Sequence, residues 1–255
     1  MTSADNPFRA PAAHVHDFSE PTLGRDFIPE GRRVPAGNGY QWLREGWEMF
    51  RSAPGTWIGI TVVFFLMMMV LAMIPLVNMG INLLGPVFIG GILIGCRAIE
   101  EGEGLRFAHL FAGFSNHLGG LLLVGLLYLL AVLAIGVVFG IVVAIGAVAG
   151  GGASEQTIGG VVLAGIVLVV LLVPLAMAVW LAPPLVIFHD YSAFQALRAS
   201  FMAALRNWLA FLVYSLLVLL AAMGATVPLL LGWLVLLPVI YASIYAYYRD
   251  VFFEP

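Results

Sequence analysis

Three long apolar blocks follow one another along this chain, and ahead of each lies a stretch where apolar residues recur at helical spacing among polar ones. The first block, Trp57 to Cys96, would reach about twice the ~30 Å hydrocarbon thickness as a single helix rising about 1.5 Å per residue. It must therefore break. Pro75, Asn78, Gly80 and Asn82 mark the place and divide it into Trp57 to Ile74 and Ile81 to Cys96. The glycines and Pro86 of that second half fit either a closely packed crossing or a re-entrant piece. The second block, Leu118 to Leu185, is interrupted by Gly150-Gly151-Gly152-Ala153-Ser154-Glu155-Gln156-Thr157, which reads as a flexible outer loop. The third, Trp208 to Tyr248, breaks at Gly224-Ala225-Thr226-Val227-Pro228. The pattern predicts an all-α polytopic membrane bundle of six crossings arranged as three hairpins.

The stretches ahead of the hairpins are the nearest thing to an internal repeat. Leu43, Trp47 and Phe50 form the first stripe, with Arg44, Glu45, Glu48 and Arg51 around it. Phe107, Leu110, Phe111, Phe114 and Leu118 form the second, with Arg106, His109 and Asn116 elsewhere on the wheel. Phe194, Leu197, Phe201, Leu205 and Trp208 form the third, flanked by Arg198, Arg206 and Asn207. Helices of this kind lie in the headgroup zone, aromatics toward the acyl chains and arginines toward phosphates. Three of them would make a collar that anchors the hairpins, or one that also recognises lipid.

Charge fixes the orientation. All eleven basic residues are arginines. Arg9, Arg25, Arg32, Arg33, Arg44 and Arg51 precede the first crossing, Arg97 and Arg106 follow the second, Arg198 and Arg206 follow the fourth, and Arg249 follows the last. The positive-inside bias then puts both termini in the cytoplasm. Residues 1–38 carry prolines at 7, 11, 21, 29 and 35 and too few apolar side chains to offset ordering entropy, so they read as a disordered cytoplasmic arm ahead of a membrane domain spanning 39–255. Within it, Asn6-Pro7-Phe8 and the run Phe27 to Arg32 read as a plain tether, with docking segments as the alternative. No apolar signal segment is evident among the first fifty residues.

Composition agrees, since 62% hydrophobic and 10% charged residues leave too little polar surface to cover a soluble globule of 255 residues. The small net charge of −3 is uninformative about nucleic acid, and the arginines are spread along a membrane face rather than gathered into a groove, so nucleic-acid binding is not expected. Cys96 has no partner for an internal disulfide and reads as a small packing residue.

One signature stands out: Ala182-Pro183-Pro184-Leu185-Val186-Ile187-Phe188-His189-Asp190, then Ala193, Ala196-Leu197, Ser200 and Arg206-Asn207-Trp208. It resembles an uncharacterised six-span inner-membrane family of Gram-negative bacteria over most of the chain, and is distantly similar to the membrane domain of bacterial glycerophosphodiester phosphodiesterases. The resemblance implies a bacterial inner-membrane location and a fold. No phosphodiesterase catalytic domain is present, so that activity does not carry over. Physically, Pro183-Pro184 should end a span near the inner interface. Asp190 stands where an N-cap belongs, and Asn116 and Asn207 sit where an amide can satisfy the carbonyls freed by a turn.

His14-Val15-His16-Asp17 lies in the arm without a partner cluster. A metal site would need Glu100, Glu101, Glu103, His109, His117, His189 and Asp190 to converge, and the spacing does not require it. Familiar nucleophile and phosphate-loop motifs are missing, and the crossings carry no ionisable group of the kind a proton relay uses. Asn78 and Asn82 form a polar pair at the first break, and the tyrosines of the last crossing fit an interfacial belt. The expected role is non-enzymatic membrane or envelope organisation, through lipid or partner contact at Arg44, Arg51, Arg106, Arg198 and Arg206. The alternatives are facilitative passage of a lipid or small apolar solute past Asn78 and Asn82, and a hydrolase or transferase built on the converged histidines. No cofactor is called for. The expected partners are membrane lipids, with other inner-membrane proteins or further copies of the chain as alternatives.

Overall fold

The computed structural model describes residues 26–73, 75–149 and 155–254, with backbone only for 75–82, 147–149 and 155–158. The described chain is all-helical: α1 Asn38–Ser52, α2 Pro54–Ala72, α3 Pro75–Glu100, a 3₁₀ turn Phe107–Phe111 leading into α4 Ala112–Ser115, α5 Leu118–Ala149, α6 Glu155–Trp180, α7 Ala182–His189, α8 Ala193–Arg206, α9 Trp208–Thr226 and α10 Trp233–Phe252. Five stretches are long and apolar enough to cross a membrane: Pro54–Ala72, Leu83–Glu100, Leu118–Gly146, Gly159–His189 and Trp208–Thr226. Tyrosines and charges keep α10, the sixth crossing expected from the sequence, outside that set.

Helix α10 is nonetheless the axis of the fold. It packs on α1 most extensively and also touches α2, α3 and α9, and most of its residues from Leu236 onward are buried. Beside it α3, α5 and α6 pack in sequence, and α8 closes against α6.

Several elements depart from the sequence expectation, each for an identifiable reason. The first break falls before Pro75, which begins α3, so Asn78 and Asn82 lie in the helical backbone rather than in a break, with side chains outside the described residues. A proline suits a first helical turn because its missing N–H has no partner there anyway. Pro183 and Pro184 likewise start a helix: the chain turns at Leu181 and resumes as α7, whose residues 182–188 are all buried.

The three amphipathic stretches do not form one collar. In α1 the buried face is Gly39, Trp42, Gly46 and Phe50, while Trp47 of the expected stripe is exposed. A Cβ at Gly39 would strike the Ala210 carbonyl and one at Gly46 would come within 2.5 Å of the Val239 carbonyl, so these two positions let α1 lie flush on α9 and α10. The second stretch is one 3₁₀ turn and one short helix, with Leu110 buried and Phe107, Phe111 and Phe114 exposed. Only α8 keeps the expected design. Ala193, Ala196, Ser200, Ala203 and Ala204 face inward, and Phe194, Leu205 and Trp208 are exposed.

The caps are redistributed too. Ser192, not Asp190, caps α8 in a reciprocal box with Gln195, whose amide N–H donates to the Ser192 hydroxyl at 3.4 Å while Ser192 N–H donates to the Gln195 side chain at 3.1 Å. Asp190 instead ends α7 at φ 54°. Asn116 and Asn207 do cap: their side-chain amides donate to the Ala112 and Ala203 carbonyls at 2.8 and 3.0 Å.

Candidate functional site

Helical spacing distributes the end of α10 over three partners. Tyr245 and Arg249 share one face, Tyr247 and Asp250 a second, and Tyr248 and Phe252 a third. On the first face the Arg249 guanidinium forks between Glu100 at the end of α3 and Glu45 of α1, at 3.0 Å from the latter, and the Tyr245 hydroxyl donates to the second Glu100 oxygen at 2.5 Å. Burial pushes the Glu45 carboxyl above its ordinary range even though Arg249 pulls it down.

On the second face the Asp250 carboxylate gathers donors from three places. Arg32 pairs with one oxygen, and the Asn38 amide and Trp42 indole N–H donate to the other, each at 2.7 Å. Trp42 is fully buried and stacked on Tyr247 at 3.9 Å. An indole needs such an acceptor when buried, so Asp250 explains how α1 carries Trp42 inward.

The third face holds the N-terminal segment. Ile28 and Arg32 N–H donate to the Phe252 and Val251 carbonyls at 2.8 and 2.7 Å, and Phe27 stacks on His189 at 3.6 Å. Asn207 completes the clamp by accepting from Val34 N–H at 2.8 Å and donating to the Arg32 carbonyl at 2.9 Å, while Arg206 donates to the Gly31 carbonyl at 2.6 Å. The part of the arm from Asp26 to Gly37 is thus docked on the chain's own C-terminal helix rather than lying free. Asn6-Pro7-Phe8 and His14 to Asp17 lie outside the described residues, as do Gly150 to Ser154 of the second loop.

The histidines do not converge on one point. His117 meets Asp190 at 3.3 Å, His189 shares a hydrogen bond of 2.6 Å with the Tyr248 hydroxyl, and His109 accepts from Arg106 N–H at 3.1 Å through Nδ1. Burial, helped by Arg106, holds His109 below the ordinary histidine range. Among the described residues no three His, Cys, Asp or Glu side chains come together around a metal-sized space.

Of the five arginines singled out for lipid contact, Arg44 pairs with Glu48 at 3.0 Å and Arg106 with Glu103 at 3.4 Å, both exposed, and Arg51 is exposed at the end of α1. Arg198 and Arg206 are brought together. They line a cleft of about 620 Å³ with Glu30, Tyr191 and Gln195, where Arg206 stands 3.7 Å from Glu30 and Arg198 is exposed with no partner among the described residues. The exposed Phe194, Leu205 and Trp208 belong to the same helix or its junction.

Sequence reasoning missed the cluster on α10. Tyr245, Tyr247 and Tyr248 are buried, not an interfacial belt, because α1 and α3 pack on the end of the helix and Phe188 of α7 lies against Tyr245 and Tyr248. The signal was present as Arg249-Asp250 directly after a tyrosine-rich run, with Glu45 directly after Arg44 and Glu100 three residues after Arg97.

The chain is 30% identical, over 254 aligned residues, to a probable inner membrane protein of Burkholderia thailandensis, with 86% of this chain and 92% of that protein covered. No protein-family model and no solved structure matches it.

Proposed function

The chain belongs to the same family as that probable inner membrane protein, and from this premise we propose that it is an inner-membrane protein of six crossings that organises the membrane by holding anionic lipid at its arginine-bearing face. It performs no reaction of its own. Both termini lie in the cytoplasm, with α10 as the sixth crossing beside the five apolar helices. The likeness of Ala182 to Asp190 to the membrane domain of glycerophosphodiester phosphodiesterases contributes a location, and no activity is taken from it.

The observation that carries this reading is Arg198. It is exposed and unpaired among the described residues, beside Arg206, on a helix that carries exposed Phe194, Leu205 and, at its junction, Trp208. Guanidinium over an apolar stripe is the arrangement that places a cation at phosphate depth. A basic residue at an anionic leaflet contributes about 1 kcal/mol, so Arg198→Gln should lower retained phosphatidylglycerol relative to phosphatidylcholine by about fivefold. Lipid mass spectrometry of protein exchanged into mixed nanodiscs reads the ratio. An unchanged ratio overturns the proposal.

A further inference from the structure

A second site lies at membrane depth, far in character from the arginine cleft. A cavity of about 610 Å³ opens among α2, α3, α5, α6 and α10, walled by Phe64, Gly85, Pro86, Tyr128, Trp180 and Tyr241 among others. It exists because α6 scarcely touches α10 while both pack well elsewhere. The three helices that face one another across it each contain an interior proline, Pro86, Pro174 and Pro238. Such prolines remove a helical hydrogen bond and bend the helix away from close packing.

The volume falls within the range of roughly 300–1,000 Å³ typical of small-molecule sites. The space is a cleft open on one side of the bundle, so molecules dissolved in the bilayer can enter it, and an apolar lining does not hold water. No charged side chain lines it, so a phosphate headgroup or a carboxylate would enter unpaired and at high cost. Three of the lining residues carry a polar group. Tyr128 and Tyr241 have hydroxyls that hydrogen-bond to no described residue, and the Trp180 indole N–H is buried without a partner among the described residues. A phenol in hydrocarbon without an acceptor is costly, and a ligand that brings one removes the cost.

We propose that this chamber binds a neutral, lipid-soluble molecule taken from the bilayer, a hydrocarbon body carrying a carbonyl acceptor such as an ester or ketone, which Tyr128 and Tyr241 hold by hydrogen bonds. The site is independent of the arginine cleft and does not rest on it.

Gly85 supplies the test. Gly85 lines the cavity and a Cβ added there meets nothing within 4 Å, so Gly85→Leu adds bulk at the cavity wall from open space, and it replaces a poor helix former by a good one. The full chain is loaded with methyl palmitate or with hexadecane, which lacks the acceptor, and retained probe is counted by native mass spectrometry. Wild-type protein should retain the ester about two- to tenfold better than the alkane, the equivalent of one net hydrogen bond. Tyr128→Phe with Tyr241→Phe should erase that preference while keeping the aromatic walls. Gly85→Leu should lose both probes and melt no lower than wild type; should it melt lower, the tyrosine pair alone decides. Excess phosphatidylglycerol should not displace the ester. No uptake by wild type, equal uptake of ester and alkane, undiminished uptake by a well-folded Gly85→Leu, or displacement by the anionic lipid would each overturn the proposal.

Discussion

The two ends of this molecule are held by different forces. Around the end of α10, Arg249, Asp250, Glu45, Glu100, Arg32 and Trp42 form a dense polar network in which α1, α3 and the N-terminal segment are joined by charge-assisted hydrogen bonds. Along the α5–α6 hairpin the situation is reversed. The most apolar stretch of α5 has no buried residue, and Leu133, Val137, Ile141, Val162, Ile166 and Val170 are all exposed. In water such a surface would be intolerable, whereas in hydrocarbon it costs nothing, because lipid tails solvate it as well as protein does. Specificity therefore resides at the charged end, and the hairpin needs only to be apolar and helical.

The sharpest way to break this comparison is to remove Asp250. Asp250→Ala leaves Arg32 only the backbone carbonyl at position 250 and takes the acceptor from the Asn38 amide and the Trp42 indole, and the loss of a charged acceptor of this kind costs about 1.5–3 kcal/mol. Melting of the purified protein in detergent should fall well below wild type, and hydrogen exchange should rise in α1 and in residues 26–37. A change confined to residues 250–254 would show that the network does not hold the other elements.

A smaller effect follows from His109. Its folded form takes up a proton less readily than the unfolded chain, so the stability it contributes is complete above the ordinary histidine range and is lost as pH falls through that range. Protection factors over residues 105–115, taken against the intrinsic pH dependence of amide exchange, should fall on acidification, and His109→Gln should flatten the response. An equal fall in both proteins would assign the effect to another group.

The smallest effect belongs to the hairpin. Ile141 is exposed to lipid, so Ile141→Ala should change stability in nanodiscs by less than about 0.5 kcal/mol, against the 2–5 kcal/mol of a buried isoleucine. A large loss there would mean that protein, not lipid, covers the hairpin.

The contrast also explains what could be read from the residues. Break points were legible where backbone chemistry is explicit: Pro75 begins α3, and the turn from Val227 to Gly232 follows the expected Gly224 to Pro228 signal, with Leu229 and Leu230 at positive φ. Asn116 and Asn207 were legible as caps because an amide at a helix junction has few other uses. The inward face of α1 was not. When surface and core are equally apolar, hydrophobic spacing separates water from hydrocarbon but not hydrocarbon from protein, so Trp42 and Trp47 look alike until Asp250 is seen to accept from one of them. Asp190 stands near the start of α8 as an acidic cap would, yet Ser192 and Gln195 offer the capping-box spacing two residues later and take the role. The Arg198–Arg206 pairing was visible as flanking charge, yet its cleft depends on Glu30 from a segment read as unstructured.

The account stands on one compartment receiving every arginine. Single cysteines placed at Arg44, Glu103, Arg198 and Glu254, in a Cys96→Ser background, should all react with a membrane-impermeant maleimide from the cytoplasmic side alone, and a cysteine at Gln156 only from the opposite side. Any one of the first four labelled from the side that reaches position 156 would contradict it.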